Sequence, residues 1–230
     1  MASLIGDSLR AHALIFERPL RSGWDEATGR RILLAFLLVA VGVFHALRAT
    51  LFSGSSVTIA KLAFVALLTI AFVLAHRLVV RMPLAAIGLR RVWTRRETLY
   101  AVQVGIIAAV AFALVFRAHF TALLARGIPE FATIVATGLL WGAVQEFLYR
   151  GWLQSELVRR FGAIAGVLVA NLVFTFGPLH ANWLFAADGP QWGMIGAIFA
   201  IGLLFGVIFQ RSGNLWIVAI LHGLWPLNMS

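Results

Sequence analysis

Five polar side chains interrupt strongly apolar runs of this sequence. Gln145, Glu146 and Arg150 lie in WGAVQEFLYRGWLQ, His180 ends NLVFTFGPLH, and His222 lies in LWIVAILHGLW. In a membrane-spanning segment, an unpaired ionisable group costs about 3 kcal/mol on insertion scales, so such groups usually face a polar cavity and take part in function. We therefore expect these five residues to form the functional site.

Together, these residue types could hydrolyse an amide bond. A carboxylate and a neutral imidazole can deprotonate water, while a second imidazole and an amide donor stabilise the oxyanion, so no protein nucleophile is needed. Zinc is an alternative, because Glu146, His180 and His222 could supply three ligands of a catalytic site. The helical HExxH spacing of common zinc proteases is absent. We expect no cofactor, with zinc left open.

Each of these residues also has a purely structural interpretation. Glu146 and Arg150 are four residues apart with the acid first, which is the favourable order for an ion pair within one helix. Arg150 could instead extend along the helix to the membrane surface. A histidine in an apolar segment is often only a hydrogen-bonded core residue. The positions of these residues along their helices decide between the two interpretations.

The composition predicts the elements that carry these residues. Of 230 residues, 61% are hydrophobic and 12% are charged, and the mean hydropathy is +0.93, which is typical of an integral membrane protein. About twenty apolar residues cross a bilayer as a helix. The sequence predicts an all-α polytopic transmembrane bundle of about seven spans, with six to eight allowed, at 32–52, 57–76, 99–116, 131–149, 163–182, 191–210 and 214–229.

We expect one membrane domain, 32–230, preceded by a cytoplasmic amphipathic segment, 1–31. The first segment mixes acids with arginines and lacks the apolar core of a cleavable signal peptide. Most basic residues behind the net charge of +10 fall in alternate connections, so the positive-inside rule places the N-terminus in the cytoplasm. No aromatic-interleaved basic patch accompanies them, which argues against nucleic acid as a partner. The absence of cysteine excludes disulfides and thiolate catalysis.

The predicted helices bring the candidate residues to comparable depths. A fourth span that continues to Arg160 and turns sharply at Phe161–Gly162 would form an antiparallel hairpin with the fifth span. At about 1.5 Å per residue, Glu146 lies about 21 Å before that turn and His180 about 25 Å beyond it. His222 lies about 12 Å into the last span. The sequence therefore predicts one polar cavity shared by the three residues.

These motif-bearing segments resemble the CPBP group of membrane proteins. That group includes the type II CAAX prenyl endopeptidases, the Ras-converting enzyme, and bacteriocin-processing and immunity proteins of the Abi type. Its first motif, EExxxR, is matched by Gln145 to Arg150; its second, FxxxH, by Phe176 to His180; of its third, HxxxN or HxxxD, His222 alone matches. The resemblance covers about residues 80–228, with the motifs in the family's order.

The resemblance implies a role for each matched position. The first glutamate of the family, here Gln145, and the histidine matched by His180 activate the attacking water. The second glutamate, Glu146, and Arg150 organise the site. The last histidine, His222, forms the oxyanion hole together with an asparagine that follows it.

The chain departs from the family pattern at two positions. Gln145 replaces the expected base, and a carboxamide can position water but cannot take its proton. Pro226 replaces the expected asparagine, although Asn228, Asn171 or Asn182 could supply an amide. Three explanations of Gln145 stay open: Glu146 has taken over as base, the chain is an inactive peptide-binding relative, or the glutamine was introduced to trap an inactive enzyme.

We therefore predict an intramembrane endopeptidase of the glutamic type that cleaves a peptide or protein near its membrane anchor or C-terminal processing signal, for example a prenylated CAAX-like end. Glu146 with His180 would activate water, Gln145 would position it, Arg150 would orient the site, and His222 would bind the oxyanion. Alternatives are an inactive pseudoprotease or immunity factor, a small transporter and a metal-dependent protease. Arginine strongly outnumbers lysine, which favours a bacterial inner membrane, with lipid as a further partner.

Overall fold

The computed structural model describes residues 23–43, 59–89, 103, 106–107, 110, 114, 117–185 and 189–224. Every regular element within these ranges is helical, which confirms the all-α prediction. In chain order the helices are α1 (Glu26–Phe36, continued as a π-helix over Leu37–Val43), α2 (Ile59–Ala75, continued over His76–Val80), a 3₁₀ turn (Leu84–Ile87), α3 (Arg117–Ala125), α4 (Ile128–Glu146, continued over Phe147–Gln154 and Ser155–Phe161), α5 (Ala163–Phe176), α6 (Ala181–Leu184), α7 (Trp192–Ser212) and α8 (Leu215–Leu224).

The helices have the length and composition of an integral membrane protein. Within the described ranges, three helices are long and apolar enough to cross a bilayer, at Leu62–Val80, Ile128–Phe161 and Trp192–Ser212, and α5 and α8 are apolar but shorter. The predicted third span, 99–116, lies outside the described residues except for five scattered helical positions. The count of seven spans and the orientation of the N-terminus therefore stay predictions.

Helix α1 begins earlier than the predicted first span, 32–52. It starts at Glu26 because the Asp25 side chain accepts a hydrogen bond from the Thr28 N–H at 2.8 Å, which caps the first turn. A hydrogen bond joins the beginning of α1 to the end of α4, because Arg159 Nη2 donates to Glu26 Oε2 at 2.7 Å. This hydrogen bond holds the pKa of Glu26 below its ordinary value.

The predicted hairpin between the fourth and fifth spans is present. Helix α4 runs without a break from Ile128 to Phe161, and Gly162 reverses the chain with φ of 80°, a conformation that glycine adopts without strain. Helix α5 then packs back so closely that a methyl group on Gly166 would overlap the backbone of Leu157 and Val158. This hairpin forms the centre of the fold.

The prediction of a single helix over 163–182 is wrong. Helix α5 ends at Phe176, and Gly177 is extended with ψ of −175°. The reason is Pro178, which restricts the preceding residue to extended conformations and cannot donate a helical hydrogen bond. The chain forms a turn over Gly177–His180, closed by the His180 N–H bonding to the Gly177 carbonyl at 3.1 Å. His180 therefore lies in a turn and not on a transmembrane helix.

Aromatic side chains fill the core on the side of α4 that faces α1 and α2. Phe72 packs against Phe147 and Trp152, with ring centroids 5.2 and 4.7 Å away. The Trp152 indole donates to His76 Nδ1 at 3.1 Å, and His76 Nε2 donates to the Met82 carbonyl at 2.8 Å. His76 is thus a satisfied core histidine of the structural kind.

Candidate active site

The centre of the site is a carboxylate between two helices. Glu146 on α4 is completely buried, with 0% of its surface exposed. Its Oε1 lies 2.6 Å from Nδ1 of His222 on α8, and its Oε2 lies 3.3 Å from Nε of Arg150, one turn along α4. A buried carboxylate is tolerated when cations and hydrogen-bond donors surround it, as these two side chains do.

Glycines bring α8 close enough to α4 for this contact. A methyl group added at Gly142 would overlap the backbone of Gly223, and one added at Gly138 would press on the Gly223 carbonyl. Gly142 lies one turn before Glu146, and Gly223 follows His222. Small residues allow membrane helices to pack tightly. The close approach of these two backbones brings His222 into contact with the Glu146 carboxylate.

Arg150 points into the bundle. Only 1% of its surface is exposed, so it does not extend to the membrane surface as the structural interpretation allowed. Its Nη2 donates to the Gly202 carbonyl of α7 at 2.8 Å, and its guanidinium lies 4.4 Å from the centre of the Phe174 ring. Arg150 consequently connects the carboxylate on α4 with both α5 and α7.

His180 joins this group through Phe174. Its Nδ1 lies 2.7 Å from the Phe174 carbonyl, and its ring stands edge-on to the Phe174 ring at 4.8 Å. The His222 ring also stands edge-on to Phe174, at 5.9 Å. The two histidines and Arg150 therefore surround one phenylalanine, and the Gly177–His180 turn carries His180 to it.

Gln145 and Asn171 are both buried, with different surroundings. The Gln145 Oε1 has no hydrogen-bond partner within the described part of the chain. Asn171 donates through Nδ2 to the Phe199 carbonyl at 2.9 Å, so this amide hydrogen bond ties α5 to α7. Its Oδ1 is without a hydrogen-bond partner among the described residues.

The other two candidate residues are away from this group or beyond description. Phe176 is 43% exposed, and its ring packs against Phe185 at 6.4 Å. Asn228 and Pro226 lie outside the described residues. The phenylalanine at the centre of the site is thus Phe174, two positions before the motif residue.

The described side chains do not form the three-ligand metal set of the zinc alternative. No group of three histidine, aspartate or glutamate side chains within the described ranges could hold a metal ion. The Arg150 guanidinium beside Glu146 Oε2 also opposes a second cation at that atom. The metal requirement of the protein stays a prediction, which chelation tests.

Sequence reasoning missed two contacts that organise the site. Phe174 is one apolar residue among many in α5, and nothing in the spacing marks it. Gln154 donates to the Gly206 carbonyl at 2.9 Å, one turn after the Arg150 bond to Gly202. Arg150 and Gln154 are four residues apart, and so are Gly202 and Gly206 of α7. This shared spacing is the sequence feature that could have predicted the two contacts.

Comparison with known proteins finds a family match over the region that carries these residues. Residues 128–227 match the family model described as type II CAAX prenyl endopeptidase Rce1-like. An 85-residue stretch is 32% identical to the macrolide export ATP-binding/permease protein MacB of Marinobacter nauticus, over 36% of this chain and 12% of that protein. The chain thus spans a small part of that relative, and no solved structure matches it. The matched region runs from α4 to α8 and carries the described site, so the resemblance to the type II CAAX prenyl endopeptidases is confirmed over these residues.

Proposed function

We propose that this protein is an intramembrane endopeptidase that hydrolyses a peptide bond close to the membrane anchor of its substrate. The observation that carries the proposal is the buried contact between Glu146 and His222, 2.6 Å long, within the region that matches the protease family. Arg150 and a second histidine lie around the same phenylalanine. A buried cluster of ionisable side chains of this kind is typical of a functional site.

His222 is proposed to stabilise the oxyanion. The Glu146 carboxylate accepts the Nδ1–H of His222, which fixes the orientation of the ring. With a proton on Nε2 as well, the ring donates a hydrogen bond from that atom, and a buried, oriented donor is most effective where negative charge develops in the transition state. Glu146 thereby acts through His222, a different role from the shared base expected from the sequence.

His180 is proposed to take the proton of water. The Phe174 carbonyl can only accept a hydrogen bond, so His180 Nδ1 carries a proton and the neutral ring has its lone pair on Nε2. The Gln145 Oε1 can accept a hydrogen bond from the same water and orient it. Gln145 needs no basicity in this scheme, because an imidazole supplies it.

The proposed reaction is hydrolysis of the peptide bond by water. The water oxygen bonds to the peptide carbonyl carbon while His180 Nε2 receives one water proton, and His222 donates to the carbonyl oxygen as it becomes negative. The carbon–nitrogen bond breaks, and the proton held by His180 passes to the leaving nitrogen. The products are a carboxylic acid and an amine, as general acid–base catalysis requires.

The test is cleavage by the purified protein in liposomes. A set of membrane-anchored peptides, including prenylated CAAX-like peptides and peptides with C-terminal sorting signals, would be assayed by mass spectrometry with and without strong chelators. We expect cleavage that survives chelation and is lost in His180→Ala and Glu146→Ala, while Thr137→Val, which removes a hydroxyl bonded to its own helix at 2.7 Å, stays active. Unchanged cleavage by His180→Ala would refute the proposed base.

A second candidate is a peptide-binding pseudoprotease, and Gln145 is the specific observation in its favour. If the chain lost its base, Gln145→Glu should restore cleavage to a protein that otherwise only binds the peptide. If His180 is the base, Gln145→Glu should give no gain, because a second carboxylate next to Glu146 adds buried negative charge. Peptide binding without turnover in the wild type, followed by turnover in Gln145→Glu, would decide for the pseudoprotease.

The substrate and location follow from the same proposal. The family's name points to prenylated C-terminal peptides, and a site within apolar helices suits a peptide tethered at the bilayer. We propose a bacterial cytoplasmic membrane as the location on the strength of the arginine usage. Peptides that lack a lipid or transmembrane anchor should be cleaved far more slowly in the liposome assay.

A further inference from the structure

Tyr149 carries a buried hydroxyl that the proposed roles do not use. The residue is completely buried, and its Oη has no hydrogen-bond partner within the described part of the chain. Leaving a hydroxyl unsatisfied in an apolar interior is unfavourable. The hydroxyl of a buried tyrosine normally has a hydrogen-bond partner, so the absence of one among the described residues requires an explanation.

The ring of Tyr149 is held in a fixed position. Phe36 of α1 meets it edge-on with centroids 5.3 Å apart, and Phe174 of α5 meets it edge-on at 5.2 Å. The Oη lies 3.7 Å from the position that a Cβ on Gly177 would occupy. The hydroxyl is therefore beside the Gly177–His180 turn.

Gln145 supplies a second unpartnered atom on the same side of α4. Residues four apart on a helix are neighbours, so Gln145 lies one turn from Tyr149. Its buried Oε1 also lacks a hydrogen-bond partner among the described residues. The pair offers one hydroxyl, which can donate and accept, and one carbonyl oxygen, which can only accept.

We infer that Tyr149 and Gln145 together bind the water molecule that the reaction consumes, an inference that rests on the proposed function. The water donates one hydrogen to Gln145 Oε1 and accepts from the Tyr149 hydroxyl. Its other hydrogen is directed towards His180. A buried water with two or three polar partners is ordinary in proteins, and it satisfies both atoms at once.

The experiment is infrared spectroscopy of the full-length protein in membranes, compared between ordinary water and water enriched in heavy oxygen. A bound water gives an O–H band that moves with the oxygen isotope. We expect this band in the wild type, its loss in Tyr149→Phe and in Gln145→Leu, and its retention in Thr137→Val. Tyr149→Phe keeps the ring that Phe36 and Phe174 hold, so the fold is preserved.

Kinetics and stability supply readouts of a different kind. With a cleaved peptide, Tyr149→Phe should lower kcat about tenfold to a hundredfold and leave KM unchanged, because a misplaced nucleophile affects the chemical step. It should also lower the unfolding temperature, whereas removal of a truly unpartnered hydroxyl would leave that temperature unchanged or raise it.

The outcomes separate this inference from the proposed function. A water band absent from the wild type, or one that persists in Tyr149→Phe, would overturn the water site whether or not peptides are cleaved. If the wild type cleaves no peptide and the band still depends on Tyr149, the water site stands and the protease proposal fails. A band lost only in Tyr149→Phe and Gln145→Leu supports the inference.

Discussion

At the scale of single residues, the site depends on how one buried negative charge is neutralised. Glu146 has a histidine on one oxygen and an arginine on the other, and Arg150 is in turn held by a backbone carbonyl and an aromatic face. Removing one member of such a set leaves the others charged or unpaired away from water. Their contribution to stability and to chemistry is therefore linked.

We expect Glu146→Gln to lower the free energy of unfolding in detergent by about 3 kcal/mol or more, because it leaves Arg150 as an uncompensated buried charge. Peptide cleavage should be lost as well, since His222 loses the carboxylate that holds it. Chemical or thermal unfolding followed by circular dichroism, together with the liposome assay, measures both effects.

The chain offers a matched control for that variant. Arg126 and Glu130 form another pair with a spacing of four and the same 3.3 Å separation, but their side chains are 44% and 48% exposed. Glu130→Gln should therefore change the free energy of unfolding by at most about 0.5 kcal/mol. Equal losses for both variants would contradict the conclusion that burial makes the Glu146 charge important for stability.

At the scale of elements, α4 carries the polar residues of the site and holds them through contacts with α7 and α8. Its π-helical part, Phe147–Gln154, follows directly after Glu146, and short π-helical segments within α-helices are frequent at functional sites. Arg150 and Gln154 donate from this segment to two carbonyls one turn apart on α7. Helix α8 approaches the opposite end of the polar stretch through Gly142 and Gly223.

We expect Gly142→Ala to destabilise the protein by about 1–3 kcal/mol, because the added methyl group overlaps the Gly223 backbone and pushes α8 away. The Glu146–His222 contact would lengthen, so cleavage should fall together with the unfolding temperature. Gly196→Ala is the control, since a methyl group there meets no atom within 4 Å; it should be neutral or slightly stabilising. An unchanged Gly142→Ala protein would contradict the close approach.

At the scale of the whole molecule, the bundle buries its polar groups inside and presents apolar side chains outwards. Exposed residues on the apolar helices include Leu67, Ile70, Leu168 and Leu204, as expected for helices that face lipid. The site lies where α4, α5, α7 and α8 meet, so in the proposed reaction a substrate peptide would reach it from within or beside the bilayer. The orientation of the bundle in the membrane then decides which end of a substrate arrives first.

The absence of native cysteine makes that orientation measurable, because an introduced cysteine is a unique label. Ile128→Cys and Phe161→Cys mark the two ends of α4, and both positions are well exposed. If α4 crosses the membrane with its C-terminal end in the cytoplasm, an impermeant maleimide should label Ile128→Cys in intact cells and Phe161→Cys only in inverted vesicles. Labelling of both from one side would contradict a transmembrane α4.

The sequence alone determined the environment, the helical class and most of the candidate site. Apolar composition requires a membrane protein whose backbone groups are satisfied within helices, and the i, i+4 spacing of Glu146 and Arg150 brings them together within a single helix. The turn after α4 could be predicted from Gly162. These features are local, so their physical causes lie within a few residues of each other.

Tertiary structure alone decided which side chains meet across helices. The partner of Glu146 is His222 rather than His180 because the glycines of α4 and α8 let two backbones touch. His180 reaches the site on a turn because Pro178 ends α5 early, and Phe174 contacts both His180 and His222. Contacts such as that between Glu146 and His222 depend on the packing of distant segments, so the sequence near either residue does not predict them.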